Sequence, residues 1–326
     1  MLCINDHHTD AWFNAAAEEH VFRNFGEPCF MLWCNEPAVV IGRHQNTLAE
    51  INFDYVKRHD IKVVRRLSGG GAVFHDPGNI NFSFIDNKQD NEWIDFPKYI
   101  RPVVAALHAA GVDAQPNERN DLTMDGKKIS GNAEHASRNR ILHHGTLLYR
   151  TELSVLSEAL SAAPAKFSDK AVKSVRSRVT NISNHLANPP ETEVFRSQLF
   201  RHVMNGLPGA REYRYSAADL DAIHRLRDEK YATWEWNFGQ SPGYSMLHGI
   251  PTGAGYLEAH LNVQKGIISH LRFSGDMPDV CNMSGLERLL LHTPHNETAV
   301  REKLSSVRFA DCFPQITEDE VVNVMF

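Results

Sequence analysis

Residues 65–85 read Arg65-Arg66-Leu67-Ser68-Gly69-Gly70-Gly71-Ala72-Val73-Phe74-His75-Asp76-Pro77-Gly78-Asn79-Ile80-Asn81-Phe82-Ser83-Phe84-Ile85. Glycine has no Cβ and takes positive φ freely. Three in a row allow a sharp turn that brings backbone N–H groups against an oxyanion, here with two arginines alongside. A P-loop follows its last glycine with Lys-Ser/Thr and a helix, and a dinucleotide fingerprint also opens a helix. In this chain the glycines run into Ala-Val-Phe-His, a Pro-Gly turn, and Ile80, Phe82 and Phe84 at period two. That is strand, turn, strand, so the loop joins strands. A glycine-rich hairpin without a ligand has the same local pattern.

Upstream, residues 10–25 are expected to form a helix capped by Thr9 or Asp10 and stopped by Gly26. Residues 29–34 and 38–41 flank Asn35-Glu36-Pro37 and read as a hairpin, followed by a polar loop at 42–46, a short helix at 52–60 and the strand 62–66 that delivers the glycines. Downstream, a helix is expected over 95–110, with Pro97 in its first turn. The Asp125-Gly126 dipeptide between residues 122–124 and 127–131 signals a type I′ hairpin, which puts Lys128 on a rigid strand. Residues 141–149 read as a further strand. Between 164 and 178, Lys166, Lys170, Lys173, Arg176 and Arg178 stand against Asp169 alone, either as a solvated basic surface or as a lid over phosphates. Pro242-Gly243 marks a boundary, beyond which a hairpin at 256–273 and three helices are expected.

A chain of 326 residues with 42% hydrophobic composition accommodates one large domain and a smaller one. Its net charge of −6 argues against a nucleic-acid protein, which needs a basic surplus where it meets phosphates. It has no run of about 18 apolar residues, and residues 1–10 are too polar for a signal-peptide core, so a cytoplasmic location is expected. Cys3, Cys29, Cys34, Cys281 and Cys312 form no CxxC pair, which fits reduced thiols. Among 18 histidines the pairs His7-His8 and His143-His144 stand out. Strand neighbours face opposite sides, and no HxxxH or HExxH spacing occurs, so no transition-metal site is expected.

The stretch from Arg65 to Asn79, RRxSGGGAVFHDxGN, resembles the signature of the lipoate–protein ligase family. Further blocks resemble that family in its order: Trp12-Phe13-Asn14, Val39-Val40-Ile41-Gly42-Arg43-His44-Gln45-Asn46, Arg119-Asn120-Asp121-Leu122, Lys127-Lys128-Ile129-Ser130-Gly131-Asn132-Ala133, His143-His144-Gly145-Thr146-Leu147-Leu148, Ser174-Val175-Arg176-Ser177-Arg178-Val179-Thr180-Asn181 and Trp234-Glu235-Trp236-Asn237-Phe238-Gly239. The resemblance implies an α+β, biotin/lipoate ligase-like catalytic domain over residues 1–245, a mixed and antiparallel sheet flanked by helices, with a small α+β accessory domain over 246–326. It implies ATP-dependent ligation of lipoate to a lysine, through lipoyl-AMP. By the same resemblance, Arg66, Gly71, Ala72, Val73, Phe74 and Lys128 are ATP-binding, and Lys128 also serves the lipoate carboxylate and the chemistry. Further adenylate contacts are implied at Ser68, Gly69, Gly70, His75, Asn79, Asp121, Gly145 and Arg178, with Asp121 as candidate Mg2+ ligand. The implied partners are lipoyl-acceptor domains of 2-oxoacid dehydrogenase E2 subunits and the glycine cleavage H protein, with no nucleic acid and no membrane.

Joining a carboxylic acid to an amine is uphill in water until the carboxylate gains a leaving group, and an acyl-adenylate supplies one. Its formation brings two anions together, so catalysis is chiefly screening and positioning. Lys128, a compact cation with three donors, suits a bridge between α-phosphate and acyl oxygen; a solvated hairpin lysine, as Lys127 is expected to be, is the plain alternative. A carboxylate nucleophile has no proton to remove, which favours packing or hydrogen bonding for His75 over general-base work. For Asp121 an ordinary salt bridge competes with the Mg2+ role. A narrow apolar tunnel for the lipoyl chain is expected to use Val73 and Phe82. Competing functions are a transferase taking preformed lipoyl-AMP, an octanoyltransferase of the same fold, for which only Cys34 could form the thioester, and a non-catalytic adenylate sensor.

Overall fold

The computed structural model describes the 326 residues except 89–94, 118–120, 138, 162–164, 176, 254, 277–282 and 310–314. Arg119, Asn120, Arg176, Cys281 and Cys312 thus lie outside the described residues. The rest separates into two compact units, one of Met1–Arg43, Ile61–Glu158 and Ser174–Ala232, the other of His44–Asp60, Ala159–Lys173 and Thr233–Phe326.

In chain order the first strands are β1 (Leu2–Asn5), β2 (Cys29–Cys34), β3 (Ala38–Ile41), β4 (Lys62–Arg65), β5 (Val73–His75), β6 (Asn79–Asn87), β7 (Gln115–Pro116), β8 (Leu122–Met124), β9 (Lys127–Ser130), β10 (Asn132–Ala136), β11 (Arg140–Leu148), β12 (Lys166–Asp169) and β13 (Arg211–Glu212). The first unit centres on a six-stranded sheet ordered β10-β11-β6-β2-β1-β13, antiparallel except where β1 runs parallel to both neighbours. A second sheet, β4-β3-β5, pairs β3 parallel to β4 and antiparallel to β5.

The hairpin expected from residues 29–41 does not form. Both β2 and β3 are buried at every residue, so each needs a ladder on either side, and they join different sheets. Asn14 holds the corner between them, donating to Cys34 O at 3.2 Å and to Asn35 Oδ1 at 2.8 Å. The expected hairpin of β8 and β9 does form, with Asp125 at φ 50° and Gly126 at φ 72°, the left-handed pair that a type I′ turn requires.

Period two along β6 sorts its side chains onto two faces. Ile80, Phe82 and Phe84 enter an apolar core with Leu32, Val103, Leu107 and Leu199, beneath the helices Phe96–Ala109 and Thr192–Gly206. Asn79, Asn81 and Ser83 take the other face, where the helix Ala11–Asn24 covers the sheet through a Ser83 to Glu18 hydrogen bond. That second face is polar yet almost wholly buried, with Asn79, Asn81 and Ser83 at most 2% exposed. Buried polar groups need partners, so this face is where a site is to be sought.

The second unit carries β12 antiparallel to β14 (Tyr244–Thr252), followed by β15 (Gly255–Gln264) and β16 (Ile267–Asp276). The helices Met283–Leu290, Glu297–Leu304 and Glu318–Asn323 close its core around Leu257, Leu261 and Ile268, and Leu48 and Ala165 from earlier stretches join it. A boundary at 245/246 falls inside β14, because that sheet also takes up β12. The basic stretch is therefore not uniformly free: residues 166–169 are paired, and Asp169 accepts from Lys173 at 2.8 Å and from Asn46 at 3.1 Å. Among the described residues no helix is long and apolar enough to cross a membrane.

Candidate active site

Arg66 organises the glycine loop from within. Its guanidinium is buried, with Nε on Ser68 Oγ (2.9 Å), Nη1 on Val40 O (3.2 Å), and Nη2 on both Gly69 O (2.7 Å) and Gly71 O (2.8 Å). Burial pushes its pKa down to about 10, which still leaves it charged at neutral pH. A trans peptide is planar, with its N–H antiparallel to its C=O. Gathering the carbonyls of Gly69 and Gly71 on Arg66 therefore turns the N–H groups of Gly70 and Ala72 away from it. The Ala72 N–H meets an oxygen, Ser174 Oγ, at 2.8 Å. Of the three glycines only Gly70 needs positive φ, at 90°. The loop is thus a donor cradle shaped by an arginine behind it, with the fork of Arg66 directed at protein carbonyls.

The buried polar face supplies a chain of side chains that separate stretches of sequence did not suggest. His144 Nε2 lies 2.6 Å from Ser68 Oγ, and its Nδ1 lies 2.9 Å from Glu18 Oε1. Glu18 also accepts from Ser83. With Arg66 donating to Ser68, the order Arg66, Ser68, His144, Glu18 links a buried cation to a buried carboxylate through a continuous chain of hydrogen bonds. The sequence signal for this lay in the run Asn79, Asn81, Ser83 opposite an aromatic face, and in Glu18 within an alanine-rich helix. His143, one residue away, faces the other side, with Glu134 Oε1 at 2.9 Å and Tyr99 stacked on its ring.

Lys128 extends from β9 with Nζ 2.9 Å from Asp121 Oδ1, and a Cβ on Gly131 would come within 2.9 Å of that Nζ. Its backbone is clamped: Lys128 N donates to Arg178 O at 2.8 Å, and Thr180 N donates to Lys128 O at 3.0 Å. The stretch that carries Ser174, Arg178 and Thr180 therefore touches both the glycine loop and the Lys128 strand. Lys127 is exposed. Asp121 is engaged as the counter-ion of Lys128, and among the described residues no three His, Cys, Asp or Glu side chains gather to hold a metal ion.

The other expected contacts divide. Phe74 is buried in β5 and Val73 is half-buried beside it. Gly145 is filled by protein, since a Cβ there would lie 2.1 Å from Asn132 Oδ1 and 2.6 Å from the Phe82 ring. Asn79 donates to Asn81 Oδ1 at 2.8 Å and keeps its own Oδ1 without a partner. The Arg178 side chain is exposed, while its carbonyl serves Lys128. Cys34 is buried and its thiol pushed up to about 11 by burial, which disfavours a thioester route through it.

His75 accepts from Asn35 at 2.9 Å, and its Nε2 has no partner. Burial, with Arg66 and His144 nearby, holds its pKa down to about 3. The folded protein therefore keeps it neutral where the unfolded chain, with an ordinary value of about 6.5, takes up a proton. The unfolded state binds more protons between these values, so stability falls as pH falls through 6.5 toward 3, by up to about 1.4 kcal/mol per pH unit from this group. His75→Asn is expected to lose less stability than the wild type between pH 6.5 and 4.5 in thermal denaturation. An equal loss in both would remove His75 from the acid response.

Two family models match the chain, the lipoyl protein ligase A/B catalytic domain over residues 10–204 and the bacterial lipoate protein ligase C-terminus over 241–325. A Bacillus subtilis lipoate-protein ligase is 38% identical over 331 residues, covering 100% of both chains. Among solved structures, a lipoate-protein ligase A bound with ATP is 28% identical with TM-score 0.63, covering 73% of this chain and 98% of that one. Two structures from Thermoplasma acidophilum, each 28% identical with TM-score 0.61 and covering 73% of this chain, are of a lipoate protein ligase with bound lipoic acid (98% of that chain) and of a bipartite ligase and its E2 lipoyl domain (96%).

Proposed function

Because the chain belongs to the lipoate–protein ligase family, we propose that it converts lipoate and ATP to lipoyl-AMP and diphosphate, then passes the lipoyl group to a lysine ε-amine of an acceptor protein and releases AMP. The observation that carries this reading is the meeting of a donor cradle and a paired ammonium: Ser174 reaches the glycine loop while Arg178 and Thr180 clamp the Lys128 strand. Loop amides at Gly70 and Ala72 would take phosphate oxygens, with the Arg66 charge behind them. Lys128 would exchange Asp121 for the α-phosphate and the attacking carboxylate, trading one anion for another as charge concentrates there.

Magnesium would arrive with ATP, held mainly by phosphates and water, and Asp121 fits as a single added carboxylate once Lys128 leaves it. In this reading the unit of Met1–Arg43, Ile61–Glu158 and Ser174–Ala232 does the chemistry and the unit built mainly of Thr233–Phe326 is accessory, which the separate family matches over 10–204 and 241–325 support. The ATP sites are assigned to Arg66, residues 71–74 and Lys128, with Ser68, Gly69, Gly70, His75, Asn79, Asp121, Gly145 and Arg178 around the adenylate. Acceptors are lipoyl domains of 2-oxoacid dehydrogenases and the glycine cleavage H protein, in the cytoplasm. The test is diphosphate release on mixing the protein with lipoate and Mg-ATP. Stoichiometric release, dependent on lipoate, is expected; no release, with transfer from supplied lipoyl-AMP intact, would make the chain a transferase.

A further inference from the structure

The adenylate chemistry gives no part to Glu18 or His144, yet they hold the far end of the chain of hydrogen bonds that reaches the glycine loop. Glu18, Arg66, Ser68 and Ser83 are all buried, and the whole chain lies within the first unit. Glu18 stands on the helix Ala11–Asn24 and His144 on β11, two regular elements, while Ser68 stands at the start of the loop itself.

Ser68 Oγ is the pivot. It takes the Nε–H of Arg66 at 2.9 Å, and its own hydrogen has two acceptors within reach, His144 Nε2 at 2.6 Å and Gly69 O at 3.5 Å. Gly69 O is the carbonyl that Arg66 Nη2 already holds at 2.7 Å. A hydroxyl turned that way would compete with the fork that shapes the cradle. An imidazole nitrogen accepts only while it carries no hydrogen, so the direction of Ser68 is decided at His144 Nε2. That nitrogen is bare when the single ring hydrogen sits on Nδ1, and the bond made by one ring nitrogen sets the role of the other. Nδ1 lies 2.9 Å from Glu18 Oε1, a carboxyl oxygen that also accepts from Ser83.

From this geometry we infer that Glu18 is a positioning residue of the adenylation site: it holds the His144 hydrogen on Nδ1, so that Nε2 takes the Ser68 hydrogen and Ser68 keeps Arg66 aimed at the carbonyls of Gly69 and Gly71. The planar guanidinium is then fixed at Nε as well as at both Nη atoms, and the loop amides keep their common direction. The inference rests on the ligase reading for the nucleotide that the loop receives.

Protein carrying isotope-labelled histidine reports the ring hydrogen by nitrogen NMR without any substrate, with the His144 signal identified by its absence in His144→Phe. The wild type is expected to carry the hydrogen on Nδ1 and none on Nε2. Glu18→Leu keeps most of the side-chain bulk but cannot accept. There the hydrogen is expected to move to Nε2, and ATP, titrated calorimetrically without lipoate, to bind about tenfold more weakly, the scale of one hydrogen bond. Glu19→Gln controls for damage to the helix: it weakens the pairs of Glu19 with Arg23 and Lys230, and should lower Tm while leaving the ring hydrogen and the ATP affinity in place. A hydrogen on Nε2 in the wild type would overturn the proposal. So would a hydrogen that stays on Nδ1 in Glu18→Leu, or an ATP affinity that does not change when it moves. If Glu18→Leu fails to fold, the wild-type ring and Ser68→Ala decide, since Ser68→Ala removes the last link and should weaken ATP binding by a similar factor; an unchanged affinity there would also overturn it. Absence of diphosphate release from the wild type would defeat the ligase reading, and the ring measurement, which needs no substrate, would still decide this one.

Discussion

Lys128→Ala is expected to slow lipoyl-AMP formation by on the order of a hundredfold or more, the range found when one preorganised electrostatic donor is removed from a developing charge. The ammonium sits on a strand fixed by an Asp-Gly turn on one side and by the Arg178 and Thr180 backbone on the other, so its position is set before any ligand arrives. The loss should appear in kcat as well as in ATP affinity, because the cation is needed most where the carboxylate attacks. Asp121 is then left without its ion-pair partner, although it is only partly buried, and a modest fall in Tm is expected rather than unfolding. Lys127→Ala is the control, exposed and on the opposite side of the strand. Diphosphate release measured for both variants settles the matter: equal losses would reduce Lys128 to a general charge effect, and a fully active Lys128→Ala would remove it from the chemistry.

The second large effect is expected at Arg66. Arg66→Ala leaves the carbonyls of Gly69 and Gly71 without their shared donor and Ser68 without its Nε–H. Each orphaned buried group costs about 1–3 kcal/mol. The loop should relax and its amides lose their common direction, lowering adenylation by on the order of a hundred- to a thousandfold. Tm should fall by several degrees, at roughly 2–4 °C per kcal/mol for a chain of this size class. Arg66→Lys separates charge from geometry, since it keeps the cation but offers one nitrogen where Arg66 uses three. It should recover part of the Tm and little of the activity. Full ATP affinity in Arg66→Lys would show that the charge alone matters and that the loop needs no fork behind it.

How much of this was legible in the sequence depends on how local each cause is. The type I′ turn at Asp125-Gly126 is decided by two residues that tolerate left-handed backbone, and it was readable at sight. The opposite facing of His143 and His144 follows from strand alternation alone. The partner strands of β2 were not readable, because a fully apolar run states only that both edges are covered, not by what; β1 and β6 compete with β3 for that place, and they win. Arg66 was readable as a site residue but not as the residue that shapes the loop, since that depends on the φ of Gly70 and on carbonyl directions. The link from Glu18 through His144 to Ser68 joins three distant stretches and exists only once the helix Ala11–Asn24 lies on β6 and β11.

The interleaving of the chain also sets a timetable for its birth on the ribosome. Leu2 pairs with Arg211, so one neighbour of β1 emerges only after most of the chain has been made. β12 cannot find its place until β14 has left the exit tunnel, and Leu48, Phe53 and Ala165 wait with it for a core built almost wholly from later residues. Such non-local closure is slow, and it keeps strand edges and apolar side chains uncovered in the meantime. A stop codon before residue 244 would therefore do more than shorten the tail: it would strand residues far upstream with nothing to fold against, and nascent chains of that length are natural clients for a holding chaperone.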